Sequence, residues 1–259
     1  MPTLANARRI LSVVAFSILG FFSVAAVHAA DIYSAAVAHA GRSADDLKRD
    51  AIDHPAKILR MTGIKPGMQV ADLLAGDGYY SELLSYLVGP KGHVQLLNNA
   101  GFDKFSNNGW QPRIADHHLA NVEHRTVDMA NLGLADASLD AVLLIKAYHD
   151  MYWVDESFGW PKIDAGGVLD QLAKSLKPGG VLLVVDHSAK AGTGNADAGT
   201  LHRIDEAYAC KDFEAHGFTF VKSSELLRKP EDKRDQISYK PPMLGKTDRF
   251  VYVFRKHLK

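Results

Sequence analysis

The chain carries its most reactive side chains in the segment KAYHDMYW, residues 146–153, which directly follows an apolar run. His149 titrates near neutrality, so it can accept a proton from a nucleophile, and the neighbouring Asp150 can orient or assist it. We therefore predict that His149 and Asp150 are catalytic. Three aromatic side chains beside them could stack on a planar ligand or instead form a packed wall: Tyr148, Tyr152 and Trp153.

Two further groups of polar residues stand where a strand-like segment ends or a helix-like segment begins. His187 comes directly after the run VLLVVD, and we predict that it joins the catalytic residues. His202 and Arg203 precede the helix-like residues 206–216 and are predicted to line the substrate side of a cleft. Arg203 could bind a carboxylate or phosphate through two parallel hydrogen bonds, or it could pair with Asp205.

The same residue types would also suit a metal ion. Imidazole and carboxylate groups are ligands that zinc and iron accept in proteins. Four side chains would form one site if the predicted strand ends and the helix start converge: His149, Asp150, His187 and His202. A metal-dependent, hydrolase-like site is therefore an alternative hypothesis. The spacing of the four residues matches no recognised metal motif.

The element that would position these side chains begins at residues 70–80, VADLLAGDGYY. A strand-like run ends in small residues, turns through Gly76 and Gly78, and continues as a helix. Glycines let backbone N–H groups approach a ligand, and open α/β sheets bind cofactors at the carboxyl ends of their strands. A dinucleotide-binding fingerprint is incomplete, because Ser81 stands where its third glycine would be.

Strand-like and helix-like segments alternate along the rest of the chain. Apolar runs predict further strands at residues 93–97, 122–127, 141–145, 181–185, 218–227 and 248–255. Helical segments precede the first strand, over residues 31–62. This alternation predicts an α/β protein, and the polar residues described above stand at the carboxyl ends of its strands.

Three motifs resemble those of the class I S-adenosylmethionine-dependent methyltransferases. The first is D-x-x-x-G-x-G, formed by Asp72, Gly76 and Gly78. The second is residues 134–140 (LADASLD), similar to the family's L-P-x-x-D-x-S-F-D, and the third is residues 176–182 (LKPGGVL). The resemblance implies a Rossmann-like, doubly wound sheet of about seven strands, mostly parallel with the last strand antiparallel, after a helical N-terminal leader. We interpret residues 30–259 as one such domain.

The resemblance also implies S-adenosylmethionine as the cofactor. Five residues stand at positions that would contact it: Asp72, Gly76, Gly78, Asn98 and Asp128. Asn98 takes the place of the acidic residue that holds the ribose hydroxyls, and Asp128 takes the place of the residue that binds the adenine amine. Leu74 replaces the first glycine of the family motif.

Several short strings resemble, more narrowly, a bacterial group of exported, predicted methyltransferases: D-L-x-x-G-x-G-Y-Y, Y-H-D-x-Y-W, H-R-I-D and G-K-T-D-R-F. This resemblance implies transfer of a methyl group to a small-molecule acceptor that the sequence does not identify. Besides the metal-dependent alternative, a non-catalytic binding protein with the same fold stays open, because Leu74 and Asn98 depart from the cofactor-binding pattern.

The first 29 residues form a signal-peptide pattern: Arg8 and Arg9, an apolar run over residues 10–27, and small residues before a cleavage point after Ala29. We therefore predict an exported protein, periplasmic or secreted, without a stable membrane anchor after cleavage; an uncleaved anchor is the alternative. Basic and acidic residues number 30 each, which gives no indication of a nucleic-acid partner. We expect a small-molecule substrate, and the sequence leaves the oligomeric state open.

Overall fold

The computed structural model describes residues 31–115 and 118–258. The predicted signal peptide, residues 1–29, lies outside the described residues. Within the two described ranges, no helix combines the length and the apolar character that crossing a bilayer requires.

Seven strands form one sheet: β1 (Gln69–Leu73), β2 (His93–Asn98), β3 (Val122–Thr126), β4 (Leu139–Ile145), β5 (Leu176–His187), β6 (Phe218–Ser223) and β7 (Arg249–Lys256). Their spatial order is β3-β2-β1-β4-β5-β7-β6. The first five strands run parallel, whereas β7 is antiparallel to both β5 and β6. The predicted fold class, a doubly wound and mostly parallel sheet with an antiparallel last strand, is confirmed.

Helices flank this sheet. Three of them precede β1 and confirm the helical leader: α1 (Ile32–Val37), α2 (Ala44–Asp53) and α3 (Pro55–Arg60). The described residues form six more: α4 (Tyr79–Val88), α5 (Ala100–Phe105), α6 (Gln111–Ile114), α7 (Ala165–Ser175), α8 (Ala198–Leu201) and α9 (Glu206–Ala215). Short 3-10 helical turns occur at His149–Tyr152 and Glu156–Phe158.

Two apolar clusters form the core, one on each face of the sheet. Successive residues of β4 alternate between them. Val142 and Leu144 pack with residues of α7 and α9, whereas Ala141 and Leu143 pack with residues of α3 and α4. All four side chains are buried. A parallel strand buried on both faces has a continuous apolar sequence, which explains why the sequence predicts β4 well.

The parallel strands bring their carboxyl ends to one edge of the sheet. Because β4 lies between β1 and β5, the turn after β1, the segment after β4 and the end of β5 are neighbours. The strand order also reverses here, between β1 and β4, and ligands of doubly wound sheets bind in the crevice at such a reversal. The fold therefore places Gly76, His149 and His187 around one crevice.

Candidate active site

A cavity of about 660 Å³ opens at the carboxyl ends of β1, β4 and β5. Residues of α2, α5 and the segment 238–249 complete its lining. Six aromatic side chains contribute to the wall: Phe102, Phe105, Trp153, Phe158, Trp160 and Tyr239. A cavity of this volume, with aromatic walls and a few charged groups, has the character of a site for a small organic molecule.

Asn98, at the end of β2, holds the glycine turn after β1. Its side-chain oxygen accepts a hydrogen bond from the Gly76 N–H at 2.9 Å, and its side-chain nitrogen donates to the Gly76 carbonyl at 3.0 Å. The same nitrogen donates to Asp103 at 2.8 Å. Asn98 is fully buried and does not line the cavity. The structure therefore places the Asn98 amide in the support of the turn and away from the cavity wall, where the expected ribose contact would lie.

Leu74 adopts the backbone conformation that the turn requires, although the family motif has a glycine at this position. Its backbone has a φ of 52°, the left-handed conformation that glycine adopts without strain. The Leu74 N–H donates to the Leu97 carbonyl at 2.7 Å, and the side chain is buried at the margin of the cavity. Holding a leucine in this conformation costs roughly 1–2 kcal/mol. Strained backbone of this kind is concentrated at ligand-binding sites.

Three other residues of the predicted cofactor set do not line the cavity. Asp72 is buried beneath the turn, where it accepts a hydrogen bond from the Ser81 hydroxyl at 2.8 Å. Gly78 packs against β2, since a Cβ there would lie 2.8 Å from a methyl group of Leu96. Asp128 is exposed on the loop after β3. Of the five predicted residues, Gly76 alone faces the cavity, so the direct contact expected of Asp72 is corrected to a supporting role.

Burial raises the pKa of Asp72 to about 7. From pH 5 to 7, the folded protein keeps a proton on Asp72 that the unfolded chain has released, so the free energy of unfolding falls as the pH rises. Asp72→Asn stays neutral and should remove this dependence, which amounts to on the order of 2–3 kcal/mol between pH 5 and 8. Urea unfolding of both proteins at the two pH values measures it. If the free energy of unfolding changed equally with pH in the wild-type protein and in Asp72→Asn, the assignment would be contradicted. Asp128→Asn, at an exposed position, is the control and should keep the pH dependence of the wild-type protein.

Asp53, the last residue of α2, joins the helical leader to the cavity wall. Its carboxylate pairs with Arg49 at 2.9 Å, with Lys146 at 3.2 Å, and with Arg249. Burial alone would raise the pKa of Asp53, but the three cations hold it well below its usual range. Lys146 is half-buried, and desolvation together with the Arg49 charge lowers the pKa of its ammonium group to about 8.

Sequence reasoning missed these cavity residues. Lys146 directly follows β4, and this position at the end of a strand could have indicated from the sequence that it faces the cavity. Its backbone φ is 58°. Arg49 and Asp53 lie within a leader helix, and Arg249 begins the last strand. No local pattern connects these three positions, because only the tertiary fold brings them together.

His149, Asp150 and His202 form another part of the cavity wall, and they belong to a chain of imidazole and carboxylate groups that ends at the buried Asp186. Asp186 accepts a hydrogen bond from the His149 backbone N–H, and its other oxygen lies 2.7 Å from His149 Nδ1. His149 Nε2 lies 3.2 Å from Asp150 Oδ1, and that same oxygen lies 3.0 Å from His202 Nδ1. The structure thus unites His149, Asp150 and His202 as predicted, and it adds Asp186.

The protonation of His149 does not suit the predicted role of a base. Burial disfavours the charged ring, but the carboxylates of Asp150 and Asp186 outweigh it and raise the pKa of His149 to about 10. The two carboxylates therefore favour the protonated form of His149 in the metal-free protein, and its catalytic role stays a prediction. Burial and the His149 charge lower the pKa of His187 well below its usual value. His187, which also lines the cavity, is the neutral imidazole of the site.

Three predicted substrate-binding residues lie outside the cavity lining. The hydroxyl groups of Tyr148 and Tyr152 both bond to Asp212 of α9, so these rings support the core. Arg203 is completely buried, and its guanidinium pairs with Asp232 at 2.8 and 3.2 Å. Other protein groups occupy the polar atoms of these side chains, so the structure brings none of the three to the cavity wall. Trp153 and His202 do line the cavity, with ring centroids 5.4 Å apart.

The fold is that of class I S-adenosylmethionine-dependent methyltransferases. A methyltransferase of this cofactor class from Aquifex aeolicus has a TM-score of 0.56 and 21% identity, over 83% of this chain and 100% of the other. A putative sarcosine dimethylglycine methyltransferase from Galdieria sulphuraria has a TM-score of 0.58 and 17% identity, over 82% and 88% of the two chains.

Sequence comparison gives a more limited relationship. The ubiquinone/menaquinone biosynthesis C-methyltransferase UbiE of Haemophilus ducreyi is 32% identical over 134 residues, which cover 49% of this chain and 44% of that protein. The chain therefore spans about half the length of the curated relatives that it matches. No family model matches the chain.

Proposed function

We propose that the protein is an enzyme that transfers a methyl group from S-adenosylmethionine to a small-molecule acceptor. The observation that carries this proposal is the cavity beside Gly76, at the point where the methyltransferase-type sheet reverses its strand order. Similarity to UbiE over half of the chain supports the same reaction class. The signal-peptide pattern of residues 1–29 supports the further proposal that this enzyme is exported.

The cavity offers groups that fit the cofactor. A Cβ on Gly76 would lie in van der Waals contact with the Phe102 ring, 3.5 Å away, so the Gly76 turn and Phe102 form adjacent parts of one cavity wall. Among the described residues, two buried polar atoms without hydrogen-bond partners belong to residues of the lining, Ser238 Oγ and Arg249 Nε. Such atoms are costly to leave unpaired, and a ligand with polar groups would satisfy them.

The residues of the cavity can be assigned distinct tasks. The Gly76 turn and Phe102 would hold the adenosyl group, while the cations Arg49 and Arg249 would face the carboxylate of the amino-acid part. When bound, the cofactor supplies a methyl group that its sulfonium already activates. The protein must then align the acceptor, exclude water and remove a proton where the acceptor carries one. We assign that task to His187, a neutral imidazole that lines the cavity.

Cofactor binding can be tested with two glycine variants. Gly76→Val places methyl groups in the space beside Phe102, and we expect it to weaken binding of S-adenosylhomocysteine at least tenfold, about 1.4 kcal/mol. Gly63→Val is the matched control. Gly63 also has a positive φ, 71° against 62°, but a Cβ added there would meet no atom of a non-adjacent residue within 4 Å, and Gly63 lies outside the cavity. Both variants therefore carry backbone strain, and only one obstructs the site.

Isothermal titration calorimetry is the measurement. The proposal requires that the wild-type protein and Gly63→Val bind S-adenosylhomocysteine with similar affinity. Absence of binding to the wild-type protein at millimolar ligand would refute the proposed cofactor, and equal affinity in Gly76→Val would refute the proposed location.

A further inference from the structure

We propose that His149, Asp150 and His202 form a binding site for one divalent transition-metal ion, and that Asp186 orients His149 within it. Each residue offers one ligand atom, and the three atoms lie within 4.8 Å of one another. This site goes beyond methyl transfer, because nothing in the cofactor chemistry requires a metal.

The spacing of the ligand atoms already suits a metal ion. At metal–ligand distances of ~2.1 Å, neighbouring ligand atoms are ~3.0 Å apart at right angles and ~3.4 Å apart in a tetrahedron. Asp150 Oδ1 lies 3.2 Å from His149 Nε2 and 3.0 Å from His202 Nδ1. Two of the three distances therefore already match those around a bound ion, and the third pair of ligand atoms lies within 4.8 Å.

Asp186 supplies the outer support that metal-binding histidines usually have. Its carboxylate lies 2.7 Å from His149 Nδ1 and is completely buried, which fixes the ring so that Nε2 points towards Asp150. A histidine that donates its second N–H to a carboxylate is a common arrangement in metal sites. His202 has a backbone φ of 51°, an uncommon conformation for a residue other than glycine and one that is concentrated at functional sites.

Charge balance favours a dication. The cluster contains two buried carboxylates, Asp150 and Asp186, and two imidazole rings whose nitrogen atoms face them. A divalent ion would neutralise both carboxylates while both rings stay neutral, the form in which histidine binds metals. Two nitrogen ligands and one oxygen ligand suit zinc or iron(II) better than magnesium or calcium. All three residues line the cavity, so the remaining coordination positions would face a bound molecule.

Cobalt(II) titration of the chelator-stripped full chain tests the site. We expect one ion per chain, visible absorption bands of nitrogen-coordinated cobalt, and quenching of tryptophan fluorescence, because Trp153 lies 5.4 Å from His202. Asp150→Asn and His202→Ala should lose stoichiometric binding, whereas Asp186→Asn should weaken it by about 10–100-fold. His216→Ala is the matched control: His216 also pairs with an aspartate at 2.7 Å, but outside the cavity.

Two results would overturn the proposal. One is a wild-type protein that binds neither cobalt(II) nor zinc(II) stoichiometrically, and the other is binding that survives unchanged in His202→Ala. Failure of the metal proposal can be told apart from failure of the proposed function by calorimetry with S-adenosylhomocysteine on the same stripped protein. The cofactor cavity does not depend on the metal, so cofactor binding should persist there.

Discussion

Replacement of Asp53 by alanine is expected to lower the free energy of unfolding by about 3–5 kcal/mol. The Asp53 carboxylate, 4% exposed, is shared by Arg49, Lys146 and Arg249. Its removal leaves three cations close together, and water compensates the loss only in part, because the Arg249 side chain is 3% exposed. Urea unfolding at pH 7, followed by circular dichroism, measures the change.

Asp45→Ala is the matched control on the same helix. Asp45 is 91% exposed and pairs only with Lys48 within the described residues, so its removal should leave the urea midpoint essentially unchanged. Because the pKa of Asp53 is held low, its stabilising effect is present at neutral pH and is lost as the pH falls below the unfolded-state value near 4. Equal midpoints for Asp53→Ala and the wild-type protein would contradict the assigned role.

Arg203→Met is the second variant with a large expected effect, again a loss of about 3–5 kcal/mol. The change leaves the Asp232 carboxylate buried without its cation, and it removes the donors to the carbonyl groups of Ser188 and Gln236. The measurement pairs urea unfolding with calorimetry of S-adenosylhomocysteine. We expect lower stability but unchanged affinity at a temperature where the variant is folded.

The control for this variant is Arg255→Met. Arg255 is exposed and donates to the Gly179 carbonyl, so the same substitution there should shift the urea midpoint far less. If Arg203→Met keeps wild-type stability and instead loses ligand affinity, then the substrate role suggested by the sequence would be right and the buried ion pair would not explain this residue.

The sequence could predict which segments surround the cavity. Gly76, His149 and His187 follow or end strands, and neighbouring parallel strands must present their carboxyl ends at one edge. This rule needs only the positions of apolar runs and glycine turns, which the sequence displays directly. The directions of the strands, mostly parallel with the last antiparallel, agree with what the family resemblance implied.

The direction of individual side chains was much harder to predict. His149 lies in the cavity lining while Tyr148, one residue earlier, is buried against α9. The 3-10 helical turn that begins at His149 rotates successive side chains by about 120°, so adjacent residues serve different surfaces. Nothing in the string YHDMYW specifies this type of turn in advance.

Ion pairs between residues far apart in the sequence were equally hard to predict. Arg203 and Asp232 are 29 residues apart, and Asp53 and Arg249 are 196 residues apart. A charged residue gives no local indication of a distant partner. The sequence therefore favoured a substrate role for Arg203 and gave no indication of Asp53, although the ion pairs of both residues hold segments around the cavity.

A crystal structure of the protein soaked with S-adenosylhomocysteine is the most direct test of the central claim. We predict density for an adenosyl group against the Gly76 turn and the Phe102 ring, with the amino-acid part directed towards Arg49 and Arg249. Density for adenosine elsewhere on the protein, or a cavity that stays closed by the Leu74 side chain at saturating ligand, would contradict it.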